Sequence, residues 1–211
     1  MNRRLSRTLF GFVAMLSAAL PAATAAATGI HTQTKGEDAV ASFTIRDNIT
    51  CPGGDVRVMQ TFVGIVAFET TIRSKGQMMT TLATNVDVSS FNPCTNDFSF
   101  NDGIFYGGAL PMTALDKATL VGHYVFSTGM VVDANLTLTG TDQITSGHSM
   151  NRQSLGGVVT TIRTIGSTRS ASITGTVTID GRVITTSQMT DVDGSMARNT
   201  SGEIIVIRSG S

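Results

Sequence analysis

The sequence predicts an all-β protein, a single antiparallel β-sandwich or a small β-barrel of about 8–10 strands. Three observations predict it. From Ala39 onward apolar residues alternate with polar ones at a period of two, not at the helical period of about 3.6. Clusters of Gly, Asn, Asp and Ser separate nearly every pair of such runs. Threonine, which suits the outward face of a sheet, fills many of the polar positions.

The first element is expected to lie outside the fold. Arg3, Arg4 and Arg7 form a positive n-region, Leu9 to Leu20 an apolar stretch, and Ala23-Thr24-Ala25 or Ala25-Ala26-Ala27 an A-x-A cleavage site. That is the layout of a secretory signal peptide over residues 1–27. The apolar stretch is about a dozen residues, too short for a spanning helix, which needs about 20. Ser6 and Arg7 interrupt the positions that a twin-arginine signal would keep apolar, so the general secretory route is expected. Residues 28–211 then make one all-β domain behind a short flexible N-terminal segment that includes His31. Its expected place is secreted or periplasmic.

Strands follow in order: "ASFTIRD" (41–47), "VRVMQTF" (56–62), "IVAFETTIR" (65–73) and "MTTLATNVDV" (79–88), each rich in β-branched or aromatic residues. "PMTALDKATL" (111–120) is the one place where a short helical turn is expected. "ATLVGHYVF" (118–126) and "MVVDANLTLTG" (130–140) form a hairpin through Ser127-Thr128-Gly129. "GGVVTTIRTI" (156–165) comes next. In "ASITGTVTIDGRVIT" (171–185) Ala171, Ile173, Gly175, Val177 and Ile179 share one face. Asp180-Gly181 then supplies the positive φ angles of a two-residue type I′ turn. "GEIIVIR" (202–208) closes the series. With no Trp, and with Tyr106 and Tyr124 as the only tyrosines, the chain lacks the aromatic girdles of an outer-membrane barrel.

Charge excludes some partners. Removing the three n-region arginines leaves 12 basic against 15 acidic side chains, a net charge of −3. Lysine occurs only at Lys35, Lys75 and Lys117, and no basic cluster exists. Nucleic acid requires a concentrated positive footprint, and an anionic membrane surface requires a polybasic patch. Neither partner is expected.

Cys51 and Cys94 are the two cysteines, and an even pair in an exported chain reads as a disulfide. Cys51 precedes Pro-Gly-Gly and Cys94 follows Asn-Pro, so the bridge is expected to staple two turns.

Four features are candidate sites. "GHSMN" (147–151) falls one glycine short of a nucleophile elbow. No helical text follows Ser149, and adjacent residues such as His148 and Ser149 project apart on an extended chain. It is expected to be a polar connection, with His148 a candidate ligand contact. His123 is the second candidate, because an imidazole titrates near neutral pH. The third is calcium, which takes six to eight oxygen ligands. Asp191 and Asp193 in "DVDG" offer carboxylates, though an EF-hand frame there lacks acids at Met189 and Thr200. Asp97 and Asp102 in "NDFSFNDG" offer two more. The fourth is an aromatic group, Phe91, Phe98, Phe100, Phe105 and Tyr106, beside Cys94. It reads either as core beneath the disulfide or, for Phe98, Phe100 and Tyr106, as the rim of an apolar ligand site.

The order "LDKATL" (115–120), "LTLTGTD" (136–142), "RSASITGTVTIDG" (169–181) and "SGEIIV" (201–206) resembles a group of secreted bacterial β-rich proteins of unassigned function. The resemblance spans residues 115–206 and implies export and an all-β fold. It implies no activity.

These readings converge on an exported, non-enzymatic β-domain that binds a small apolar ligand, a glycan or a protein partner. A secreted hydrolase assembled from distant loops is the alternative, and a structural surface or assembly component is a third.

Overall fold

The computed structural model describes residues 30–155 and 158–207, so the expected signal segment lies outside the described residues. Eleven strands run in order: β1 (Ile30–Thr50), β2 (Val56–Ser74), β3 (Gln77–Asn92), β4 (Asp97–Tyr106), β5 (Met112–Thr113), β6 (Lys117–Val125), β7 (Val131–Gly140), β8 (Thr145–Leu155), β9 (Val158–Ile179), β10 (Arg182–Thr185) and β11 (Met189–Ile207). One 3-10 turn, Thr186–Gln188, is the only helical element among the described residues. The all-β prediction holds.

All strands join one antiparallel sheet in the order β4-β3-β2-β1-β11-β9-β7-β6-β5, with β8 and β10 added alongside β9. It is neither two stacked sheets nor a hydrogen-bonded barrel. The sheet rolls up instead. Phe43, Val63, Ile65 and Val86 from β1–β3 share one buried core with Leu136, Leu138, Val177 and Ile184 from β7, β9 and β10. Each such side chain contributes about 1.5–3 kcal/mol through burial, and only rolling brings the inner faces of both arms together.

The two ends of the sheet meet through side chains. Phe105 on β4 packs on Tyr124 of β6 with ring centroids 5.0 Å apart, and edge-on against Phe126 at 5.5 Å. Thr128 donates a 2.7 Å hydrogen bond to Asn101 of β4. Four residues forward along β4 correspond to four residues back along the other segment, the register of an antiparallel pair, yet no strand ladder joins β4 to β6. Burial raises the Tyr124 phenol above its usual range, and its hydrogen bond with Thr84 opposes that shift.

The strands are longer than the alternation suggested. β1 starts at Ile30 and pairs with β2 from Thr32, so His31 stands in a strand opposite Ile204, not in a tail. Likewise "VRVMQTF" and "IVAFETTIR" are one strand, and "GGVVTTIRTI" continues into "ASITGTVTI" as β9. These strands run past the core into an extension whose residues are mostly half-buried or exposed, where no strict alternation is required. β8 belongs to that extension and is exposed along its whole length. "GHSMN" is therefore strand text, not a connection. The expected helical turn at 111–120 is also absent: β5, a turn with Ala114 at φ 52°, and β6 occupy it.

Turn chemistry sets the hairpins. Asp180 and Gly181 adopt φ 48° and 82°, as predicted for the β9–β10 turn. Phe126 and Met130 close the β6–β7 hairpin by a 2.9 Å backbone hydrogen bond across Ser127–Gly129. Lys75 and Gly76, at φ 48° and 79°, turn β2 into β3 in the same way. Gly175 sits at φ 125°, and a Cβ there would lie 2.1 Å from the Asn135 carbonyl oxygen.

Candidate functional site

The most distinctive surface is the outer face of β2, β3 and β4. Cys51 in the β1–β2 turn and Cys94 in the β3–β4 turn are joined, with Cα atoms 5.3 Å apart. The Asn92 carboxamide accepts from the Cys94 backbone N–H at 2.9 Å and shapes the second turn. The staple expected from sequence is present, and it fixes where the β3–β4 hairpin begins.

Register then decides which side chains face out. Ser89 pairs with Phe100, Phe91 with Phe98, Asn85 with Ile104 and Ala83 with Tyr106. Val86 and Val88 of β3 point into the core, so by strand alternation the odd-numbered neighbours and their β4 partners point outward. Phe98 is 68% exposed, Phe100 57% and Tyr106 77%. Phe62, Phe91 and Ile104 are exposed on the same face. Of the aromatic group beside Cys94, only Phe105 enters the core. The other rings do not lie beneath the disulfide. Contiguous exposed apolar groups of this kind mark interaction surfaces.

An acidic pair interrupts the apolar row. Asp87 stands directly opposite Asp102 in the β3–β4 register, on this outer face. Burial is the larger cause that raises the Asp87 carboxyl above its ordinary value, and the neighbouring Asp102 charge adds to it. Asp87, Phe62 and Ile104 escaped the sequence reading. The four residues Pro93–Asn96 between β3 and β4 contained the signal, since a short hairpin turn at Cys94 fixes the register that opposes these positions.

The other candidates are dispersed. His123 and Asp133 face each other across β6 and β7, with Nδ1 2.5 Å from Oδ1, both exposed on the outer face. Thr178 pairs with Asp133 on the far side. A catalytic triad needs the imidazole between nucleophile and carboxylate, whereas here the carboxylate lies between imidazole and hydroxyl. His148 pairs with Ile165 and Ser149 with Thr164 on successive positions of β8, so their side chains take opposite faces.

The calcium candidates do not converge. Asp191 accepts from Arg46 at 2.9 Å, at a bulge where it adopts φ 50°. Asp193 pairs with Ser42 inside β11. Asp97 and Asp102 both lie in β4, five positions apart, and so point to opposite faces. Among the described residues no three His, Cys, Asp or Glu side chains gather as a metal site. Two depressions in the surface are open. One lies among Ser99, Asn101, Thr128 and Asp180, another beside Arg169, whose guanidinium is held by Asp116 and the Asp142 carbonyl. No helix among the described residues is long and apolar enough to cross a membrane.

No protein-family model and no curated protein matches the chain. Solved structures distantly similar to the chain include the following two. One is described as an AttH from Nitrosomonas europaea, at 9% identity and TM-score 0.25, covering 83% of this chain and 52% of that one. The chain thus spans about half the length of that neighbour. The other is an acetoacetate decarboxylase-like enzyme from Sphingomonas wittichii, at 11% identity and TM-score 0.21, covering 85% of this chain and 93% of that one. Likeness at this level carries no argument about function.

Proposed function

We propose that this protein is an exported, non-enzymatic binding domain that engages another macromolecule through the outer face of β2–β4. Export is supported by the arginine-led apolar segment with its A-x-A sites. The Cys51–Cys94 bridge supports it too, since such bonds persist in oxidising compartments. One observation carries the binding role. Phe98, Phe100 and Tyr106 stand in water on a strand whose opposite side supplies Phe105 to the core. Rings needed only for stability belong on the inner side, where burial rewards them.

A macromolecular partner fits better than a small apolar ligand. Such ligands occupy concave pockets that bury most of their surface, whereas this face is open and the rolled interior is filled by Phe43, Ile65, Leu120 and Leu136. The hydrolase reading loses ground because the Asp133 carboxylate stands between His123 and the Thr178 hydroxyl, the reverse of a triad's order.

The test places a photo-crosslinking residue at Phe98 or, as control, at Asn135, and exposes the exported protein in its own compartment. A discrete adduct from position 98 alone is expected. Equal labelling at both positions, or none, would remove the face from consideration. A small molecule retained in the native mass spectrum would favour a carrier instead.

A further inference from the structure

We infer that the partner of this face is a protein segment in which one lysine or arginine is flanked, two residues away on each side, by apolar side chains. Its cationic group sits between Asp87 and Asp102. This rests on the binding reading above and specifies what is bound.

Charge identifies the occupant. Like charges directly opposite each other on a sheet are destabilising, and Asp87 and Asp102 are so placed. Six acids, Glu37, Asp47, Asp55, Asp116, Asp133 and Asp191, pair with Arg or His, and Asp87 and Asp102 are among the acids that make no ion pair among the described residues. A purely apolar partner would cover both carboxylates without compensating them, which is costly. An anionic membrane or nucleic acid would be repelled. A basic side chain turns the local cost into an attraction.

Spacing identifies the pattern around that charge. Phe100 and Ile104 lie two residues to either side of Asp102 on the same face. An extended segment repeats its side chains on one face at the same interval. Its apolar neighbours thus meet Phe100 and Ile104 while its basic residue meets Asp102. Phe62 and Phe100 lie in the cross-strand row next to the acidic pair, on either side of Ser89, so the apolar stem of a lysine or the plane of a guanidinium has rings to lie against.

The protein contains no tryptophan, so a peptide with one tryptophan reports its own binding by fluorescence. The probe has ten residues, the length of β4. It is threonine-rich, with a central lysine, valine two residues to each side and a terminal tryptophan. Companion peptides replace the lysine by threonine or glutamate. The lysine peptide is expected to bind about tenfold more tightly than the threonine peptide, with glutamate weakest. Asp87→Asn with Asp102→Asn should erase that order, while Phe98→Ser with Phe100→Ser should weaken all three peptides alike.

Equal binding of the three peptides to the unaltered protein would overturn the charge inference and leave the binding face intact. Binding by none would overturn the inference, with the face itself judged by the crosslink at Phe98. Thermal stabilisation by calcium alone, lost in the double Asn variant, would assign the pair to a metal ion and also overturn it.

Discussion

The ring of Phe105 on β4 lies 5.0 Å from that of Tyr124 on β6, and this contact draws the ends of the rolled sheet together without a backbone ladder. Phe105→Ala should therefore cost about 2–3 kcal/mol, toward the low side for a phenylalanine truncation because the ring is only half-buried. Phe98→Ala, on the outer face of the same strand, should change stability by no more than about 0.5 kcal/mol. Denaturant unfolding of both variants at one pH makes the comparison. Equal losses would mean that the outer rings are structural, and the binding face would lose its main support.

The Cys51–Cys94 bridge closes a loop that contains β2 and β3 and spans a sequence separation of 43. Constraining an unfolded loop of this size is worth about 4 kcal/mol on the chain-entropy model. Replacing both cysteines by serine should remove most of that. It should also loosen the turn that positions Phe98, Asp102 and Tyr106, so peptide affinity should fall along with the unfolding midpoint. A loss of stability with affinity unchanged would show that β4 holds its place through β3 alone.

Two glycines of β9 make opposite predictions. Gly175 adopts φ 125°, and a Cβ would press on the Asn135 carbonyl at 2.1 Å, whereas Gly166 has open space around it. Gly175→Ala should destabilise by more than about 2 kcal/mol, since both backbone strain and a backbone clash oppose it. Gly166→Ala should be neutral or stabilise by up to about 1 kcal/mol through the entropy of the unfolded chain. Thermal melts of the two variants separate these outcomes.

Much of the sheet was legible because burial writes itself into sequence. Ala171, Ile173 and Val177 alternate because one face of β9 meets the core there, and Asp180-Gly181 announces its turn through backbone chemistry. What escaped has a common cause. Where strands pass beyond the core, as in Thr145–Leu155, every residue is exposed and no period is imposed, and in His31–Asp38 most residues are half-buried without alternation. The same holds for the site. Phe98, Phe100 and Tyr106 drew attention as aromatic residues, but their outward direction follows from pairing with Phe91, Ser89 and Ala83. The rolled single sheet in place of a sandwich or barrel was equally hidden, because Phe105 and Tyr124 meet only after all the intervening strands have paired.

The acidic pair makes a prediction whose sign can be worked out. Asp87 has a folded-state pKa above the ordinary aspartate value of 3.8, raised by burial and then by the Asp102 charge. Between those two values the folded protein binds more protons than the unfolded chain. Stability from this group therefore rises as pH falls through that window and declines as pH climbs out of it. Asp38, raised by burial, acts in the same direction, and Asp47, lowered by Arg182, acts in the opposite one. A difference between two variants cancels both. At neutral pH Asp87→Asn should stabilise the protein by up to about 1 kcal/mol, the scale of a like-charge cross-strand pair, and the gain should shrink as pH approaches 3.8. Adding the lysine peptide should reverse the order at neutral pH, because the partner compensates the carboxylates of the unaltered protein and finds none at position 87 in the variant. Denaturant midpoints across pH, with and without peptide, measure all of this. If Asp87→Asn lowers stability at neutral pH, the pair is a structural hydrogen-bonding unit and not a charge held open for a partner.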